Sequence, residues 1–577
     1  MEEHVETKDA RTPWPAVMAL CLAVVGFYWF MASRSTLWDR DEPRFSRATA
    51  EMIESGNYLY PTFNGQLRPD KPILTYWLMS VPMRVLGPTS LACRFFSTVG
   101  IAVTCIFTFL LGRRFLGVKA GLWSMAVLAS TLLIMVEGTA ATADGILLPC
   151  MVAVIVLFSR DLVRPPGDAE ARFVERRTSD GTSRAIGSRF TLLGMGLAFG
   201  LGLLAKGPVA LLPIVVMVVT LVLMRRSEIR LGSHLGRLGG AAVLGCLLFL
   251  AWALPANNAT GGEFMRLGIG HHVVARSARP LESHGGRFLL YLPYYLPVII
   301  AGFFPWTLHL PGSISAVVNR RVGTAPFRAL FLAWVVSIVV IMTLVATKLP
   351  HYILFTWPAM ALAVGGTLAA ASEGRLTETD RRWLRGGVWF FGPVAGGAVA
   401  GLCAAPLALH LTGAIVPFWI SAAVLLGMSV LSIRRQLQNR PQASAVTLLV
   451  GMPVLLLPMM LGIMPALENV KISPGLAEAV KQQTSQEVPV ATFGYAEPTL
   501  NFYIGRRIEP LADKEAVVAW ARRPQPGVLI IPKALLAEVE QHSGTLDLTE
   551  IAARKGLNYS KGDALEVAAL LRRERQP

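Results

Sequence analysis

The feature that most limits what this chain can fold into is a succession of thirteen apolar runs, most of them near twenty residues long. They lie at 14–33, 91–112, 118–137, 144–162, 190–205, 207–224, 237–255, 289–311, 327–346, 351–370, 387–410, 414–433 and 444–465. A helix of about 20 apolar residues crosses a hydrocarbon layer of about 30 Å, and it is the one local structure that bonds all its own backbone amides there. Composition agrees, with 53% hydrophobic and 16% charged residues. The expected fold class is a polytopic α-helical membrane protein with about thirteen transmembrane helices.

The formal charge of +17 does not point to nucleic acid. The 54 Lys and Arg fall mainly in short connections between apolar runs, where positive charge sets orientation. If "PILTYWLMSVPMRVLGP" at 72–88 lies along the surface as an interfacial helix, the Arg-rich connections "GRRFLGVK", 160–189, "RRSEIRLGSHLGR", "NRRVG", "RLTETDRRWLR" and "RRQLQNR" share the side of the N-terminus. The short opposite connections carry Lys206 and Lys348. The N-terminus is then cytoplasmic, and thirteen crossings leave the C-terminus outside. The acidic "MEEHVETKDA" and the lack of an A-x-A site make 14–33 an uncleaved first helix.

This organisation divides the chain into a transmembrane catalytic domain at 1–465, whose outer loop 34–90 carries interfacial helices, and a small soluble α/β domain at 466–577. In the latter, "VPVATFGY" and "GVLIIP" read as buried strands, "DKEAVVAWARR" and "KALLAEVEQ" as helices. The six cysteines show no CxxC spacing, so neither a disulfide framework nor a zinc knuckle is indicated.

The polar residues that topology does not use gather on the outer side. They are Asp39, Asp41, Glu42, Arg44, Asp70, Lys71, Asp144, Lys206, the loop "GHHVVARSARPLESHGGR" and "TKLPHY". Charges at this depth are costly unless paired or functional. Simpler roles compete for several of them: headgroup or solvent contacts for Arg40, Arg47 and Arg84, a helix N-cap for Asp144, and a helix-end anchor for Lys348.

Taken in order, "DRDEPRF", "RPDKPILTYW", "TADG", "LAKGPVALLP", "YYLPVIIAGFFPW" and "TKLPHYILFTWPAMAL" resemble the type C membrane glycosyltransferases that include protein O-mannosyltransferases, most closely the lipid A aminoarabinose transferases. The resemblance implies a polyprenyl-phosphate-linked sugar as donor, a lipid, glycan or protein acceptor, and transfer at the outer face of the inner (cytoplasmic) membrane. It implies Asp41 and Asp144 as catalytic acids, with Lys71, Arg44, Lys348 and Tyr352 on the donor phosphate side. Glu42 is expected to hold the loop by pairing with a neighbouring Arg. The resemblance also implies a metal pair, Asp70 and His272, for a divalent ion such as zinc. A transporter or flippase with an outer charged gate is the competing reading. The chain shows neither the clear internal repeats nor the mid-membrane charges that such proteins carry, so transfer chemistry is favoured.

Overall fold

In the computed structural model the described residues are 13–38, 41–162, 186–224, 231–268, 292–558 and 562–573. Up to residue 468 the described residues are almost entirely helical, as a backbone without water must be. Among the described residues nine helices are long and apolar enough to cross a membrane, or ten if a bent pair counts as one span. The difference from thirteen has three sources. The runs at 190–205 and 207–224 are joined through a short 3-10 segment into one element, Arg189–Leu223. The run at 289–311 yields only the short apolar helix Leu292–Gly302, and the helix Asp144–Leu162 is not among the nine.

The elements that shape the outer face come first in the chain. Helix α1 is Trp14–Ala32, α2 is Asp41–Ser55, α3 is Leu74–Leu86 and α4 is Ser90–Leu116. Helix α3 is too short to span and packs on α2 and α4, as an interfacial segment does. Between α2 and α3 the two-residue strands β1 (Thr62–Phe63) and β2 (Gln66–Leu67) pair antiparallel around Asn64-Gly65. Asn64 and Gly65 have φ of 55° and 75°, the left-handed pair that a tight hairpin turn demands. Helix α5 (Val118–Ala129) and α6 (Leu132–Gly138) meet at a 66° bend, and α7 (Asp144–Leu162) follows at once.

Helices α4 and α7 touch backbone to backbone. A Cβ on Gly100 would lie 2.0 Å from the Gly145 carbonyl oxygen, and one on Gly145 would lie 2.8 Å from Ser97. Small residues permit this approach, which fixes the first turn of α7, and Asp144 with it, against α4. Helix α8 (Ile186–Lys206) packs between α7 and α10 (Leu231–Ala259), while α9 (Leu212–Leu223) packs on the helix Ala325–Leu344.

Residues 472–572 build a five-stranded sheet in the order β4-β3-β5-β7-β6, where β3 is Val490–Thr492, β4 Ile508–Pro510, β5 Gly527–Pro532, β6 Thr549–Asn558 and β7 Asp563–Arg572. Strand β3 runs parallel to β4 and β5, whereas β7 is antiparallel to β5 and β6. Val528 and Ile530 face a core closed by the helices Ile472–Gln483 and Pro498–Ile504. Leu529 and Ile531 face a second core closed by Lys514–Ala521 and Lys533–Ser543. Burial on both faces explains why β5 reads as an unbroken apolar run.

Candidate active site

The outer loop is built around three buried arginines, Arg94, Arg68 and Arg47. Arg94, on α4, donates to Glu42 through Nε (2.7 Å) and Nη2 (2.9 Å), and its Nη1 reaches the carbonyls of Ala32 and Ser35. Glu42 also accepts the amides of Trp38 and Ala141, each at 2.8 Å. Burial pushes this carboxyl up, but the Arg94 guanidinium and the two amides outweigh it and hold it below the usual carboxylate range. Glu42 thus holds the loop, as expected, but its arginine is Arg94 of α4 rather than a neighbour in sequence.

Arg68 is the second anchor. It donates Nε to the Tyr76 hydroxyl (3.1 Å), pairs with Asp70 at 2.9 Å and lies over the Phe45 ring at 5.5 Å. Its charge is secured because Tyr76, Asp70 and Asp41 together outweigh the cost of burial. Arg47 corrects the expectation of a headgroup contact. It is buried and bonds Glu51 and Glu54 through its guanidinium, because α2 presents those acids four and seven residues on. Glu51 then accepts Thr62 Oγ1 and the amides of Asn64 and Gly65, which secures the β1–β2 turn. Arg84 remains exposed, over the Tyr58 ring at 5.0 Å.

Below this loop opens an amphipathic cleft of about 210 Å³. Its polar rim is Asp70, Lys71, Asp144, Lys206, His351 and Tyr352; its walls are apolar, including Leu147, Met151, Leu212, Trp252 and Phe264. The Lys206 ammonium donates to both oxygens of Asp144 at 2.6 Å and lies 5.8 Å from the centre of the Tyr352 ring. His351 sits 3.9 Å from Glu137, which accepts Thr142 Oγ1 at 2.9 Å. Asp144, Lys206, Asp41 and Lys71 all lie within electrostatic range of His351. Trp252 donates its indole N–H to the Leu59 carbonyl, tying α10 to the outer loop.

The structure therefore brings Asp70, Lys71, Asp144 and Tyr352 to one rim. Asp41 opens α2 with a half-exposed carboxylate 3.8 Å from Arg44, and neither Asp41 nor Arg44 is among the residues that line the cleft. Lys348 is not on the rim either. It is buried, and its ammonium donates to the carbonyls of Met342, Thr343 and Val345 at the end of the helix Ala325–Leu344, which makes it the helix-end anchor rather than a donor contact. Asp144 is a partner of Lys206 as well as the first residue of α7. Asp39, Arg40, His271 and His272 lie outside the described residues.

Among the described residues no cluster of three or more His, Cys, Asp or Glu is placed to hold a metal. Of the expected metal pair they include Asp70, whose carboxylate pairs with Arg68 at 2.9 Å, while His272 lies outside them. Sequence reasoning did not assign Lys206, His351, Arg68 and Arg94 to the site. Lys206 and His351 stand inside "LAKGP" and "KLPHY", where a lone charge at the end of an apolar run was the available signal.

A helical membrane body whose charged rim lies over an apolar cleft is a fold with solved examples. The chain has the fold of ArnT from Cupriavidus metallidurans. The crystal structure of that protein bound to undecaprenyl phosphate superposes with a TM-score of 0.73 at 21% identity over 97% of this chain and 98% of that one; its apo state gives 0.71 at 19% identity over 98% and 100%. Residues 70–165 match the family model of the dolichyl-phosphate-mannose-protein mannosyltransferases. The undecaprenyl phosphate-alpha-4-amino-4-deoxy-L-arabinose arabinosyl transferase of Pectobacterium carotovorum is 30% identical over 375 residues, 63% of this chain and 61% of that protein. The protein of the same name from Aeromonas hydrophila is 29% identical over 378 residues, 65% and 63% respectively. The matched region thus spans about three fifths of the length of these curated relatives. The resemblance to aminoarabinose transferases and protein mannosyltransferases drawn from the motifs is borne out.

Proposed function

We propose that this chain is a glycosyltransferase that moves a sugar from a polyprenyl-phosphate donor to an acceptor lipid, glycan or protein, with inversion at the anomeric carbon. The observation that carries this reading is the cleft itself, whose polar rim carries Lys71 and Lys206 beside Asp70, Asp144, His351 and Tyr352 and whose walls are apolar. A polyprenyl-phosphate sugar has the same division, an apolar tail and an anionic head. The names of the relatives favour undecaprenyl phosphate-linked aminoarabinose as the donor to test first.

In the proposed reaction an acceptor oxygen attacks the anomeric carbon, and the bond from that carbon to the phosphate oxygen breaks with its electron pair passing to the phosphate. Lys71 and Lys206 stabilise the charge that builds there. Asp144 aims the Lys206 ammonium through both of its carboxylate oxygens. Asp41, with Arg44 beside it, orients the acceptor and takes its proton where the acceptor is a hydroxyl. An acceptor phosphate oxygen is already nucleophilic and needs Asp41 for position alone. Tyr352 closes the donor side. The transporter reading has no specific observation in its favour.

The test is transfer by the purified protein in lipid nanodiscs, with undecaprenyl phosphate-linked aminoarabinose as donor and lipid A as acceptor, followed by mass spectrometry. Release of no undecaprenyl phosphate from this or other polyprenyl-phosphate sugars would refute it. We also propose the thirteen-span topology in the cytoplasmic membrane, with the N-terminus inside and the boundary near 465/466 leading to an extracytoplasmic C-terminal domain. A cysteine replacing Thr178 should resist impermeant reagents in intact cells, and labelling from outside would overturn the map.

A further inference from the structure

Thr36 to Trp38, which lead into the helix that opens with Asp41, are gripped from two directions. From α4, Arg94 Nη2 donates to the Thr36 carbonyl at 3.1 Å. From the far end of the chain, Glu468 accepts the Thr36 amide (3.0 Å) and hydroxyl (2.6 Å), and the Tyr503 hydroxyl accepts the Leu37 amide (2.7 Å). The Lys471 ammonium donates to the Thr36 carbonyl (3.1 Å), the Thr36 hydroxyl (2.8 Å) and Glu468 (2.8 Å), and stands 3.5 Å from the centre of the Trp38 ring. The Trp38 amide in turn donates to Glu42, next to Asp41.

The same end of the chain holds the other flank of the loop. The Asn64 side chain donates Nδ2 to the Ile508 carbonyl (2.9 Å), and its Oδ1 accepts the Ile508 amide (2.8 Å). A side-chain amide here completes the backbone bonding at Ile508 of β4, so the β1–β2 ribbon leading to Arg68 and Lys71 is fastened to the sheet. Lys471 is only 5% exposed. A buried ammonium is a costly way to dock two surfaces unless its exact partners matter, and here every partner is in the approach to Asp41 or is Glu468.

From this geometry we infer that residues 468–508 clamp the outer loop, and that Lys471 is a positioning residue that sets Asp41 against the cleft through Thr36 and Trp38. The inference rests on the proposal that Asp41 meets the acceptor. Burial brings the Lys471 ammonium down to about 8 despite Glu468. The charged and titratable groups that face it are Glu468, Glu42 and Arg94, with Tyr503, whose hydroxyl is pushed up to about 12, and Glu497 across a small polar pocket. Because the folded value lies below the ordinary 10.5, the unfolded chain binds more protons between about pH 8 and 10.5, and linkage does not weaken the fold as pH rises. Loosening of the clamp therefore appears as a fall in kcat through about pH 8 at a constant or rising Tm.

The experiment compares full-length wild type, Lys471→Met and Lys471→Arg in nanodiscs. It measures hydrogen exchange of residues 36–71, kcat and KM from pH 6.5 to 9.5, Tm, and binding of undecaprenyl phosphate. Lys471→Met should speed exchange at 36–42, lower kcat about tenfold, as loss of one charge-assisted contact does, and abolish the alkaline fall, with undecaprenyl phosphate affinity kept within about twofold. Lys471→Arg should restore most of kcat and move the alkaline limb above pH 9. Asn64→Ala should loosen 62–71 independently, which keeps the test open if Lys471→Met folds poorly. Unchanged exchange and full kcat in Lys471→Met would overturn the clamp, as would a kcat loss matched by equal losses of Tm and lipid binding. Wild type that binds undecaprenyl phosphate yet transfers no sugar would refute the proposed function instead, while the exchange data still judge the clamp.

Discussion

Replacing Lys206 by Met separates the structural from the chemical use of a cation in the cleft. Lys206 and Asp144 are both buried, with side chains 11% and 12% exposed, and the ammonium is 2.6 Å from each carboxylate oxygen. Removing one partner of such a pair leaves an uncompensated charge and costs about 3 to 5 kcal/mol, while removing both in favour of neutral groups is close to neutral. Lys206→Met alone should therefore lower stability by about 3 to 5 kcal/mol, less whatever Asp144 recovers by taking up a proton. The double variant Lys206→Met/Asp144→Asn should recover most of that loss. Both should be inactive, because the phosphate loses a cation in either case. The assay is thermal melting in nanodiscs beside binding of undecaprenyl phosphate and sugar transfer. A Lys206→Met protein as stable as wild type, or a double variant as unstable as the single one, would refute the pairing argument. A stable, active double variant would remove Lys206 from the donor site.

Lys71→Met keeps the apolar stem, and because Lys71 lies on the rim its loss should cost about 1.5 to 3 kcal/mol of transition-state or donor binding, about ten- to a hundredfold, with Tm near wild type; equal donor binding and turnover would exclude it. Asp41→Asn should abolish transfer while expression and melting stay close to wild type, whereas Asp39→Asn keeps most activity; the reverse pattern in a lipid-linked donor assay would transfer the role. Glu42→Gln should destabilise by about 3 to 5 kcal/mol at neutral pH by leaving Arg94 underpaired, as measured by melting. Since the Glu42 carboxyl is held below its ordinary value of 4.5, its contribution is full above that value and is lost as pH falls through the lower folded value, so wild type should show an acid limb in Tm that Glu42→Gln lacks.

Much of this architecture is legible in the sequence because the bilayer imposes one dominant rule. Nine of the apolar runs correspond one to one with a helical element that meets the length and hydropathy a span needs, if the bent pair α5–α6 is taken together. The exceptions are physical. Proline and glycine at 207–208 allow a short 3-10 link that joins two runs, and apolarity alone does not say where helix begins in 289–311. In the C-terminal part, the doubly buried β5 was visible as an apolar run, but β6 and β7 were not. Their "EIAARKGLN" and "DALEVAALLR" are rich in Ala, Arg, Lys, Glu and Leu, residues with helical preference that tertiary pairing overrides. Lys348 shows the limit for sites. A lysine before a Pro at a membrane boundary has the same sequence signature whether it binds a phosphate or caps a helix, and only the three carbonyls around it decide.

The chemistry of the outer loop follows from pairing its charges off. Glu42 is taken by Arg94 and two amides, Glu51 by Arg47 and the β1–β2 turn, Glu54 by Arg47, and Asp70 by Arg68. Each of these carboxylates has a cation within 3.0 Å and serves to hold the loop in shape. Asp41 differs: its ion partner Arg44 stands at 3.8 Å, beyond hydrogen-bond length, and nearly half of its side chain is open. It also sits at the N-terminus of α2. A carboxylate left open among the described residues is what the proposed role toward an incoming acceptor needs. The density of both signs in this loop thus has a physical reason: most of its described acids and arginines build a frame, and the frame leaves the Asp41 carboxylate open, as its proposed role toward the acceptor requires.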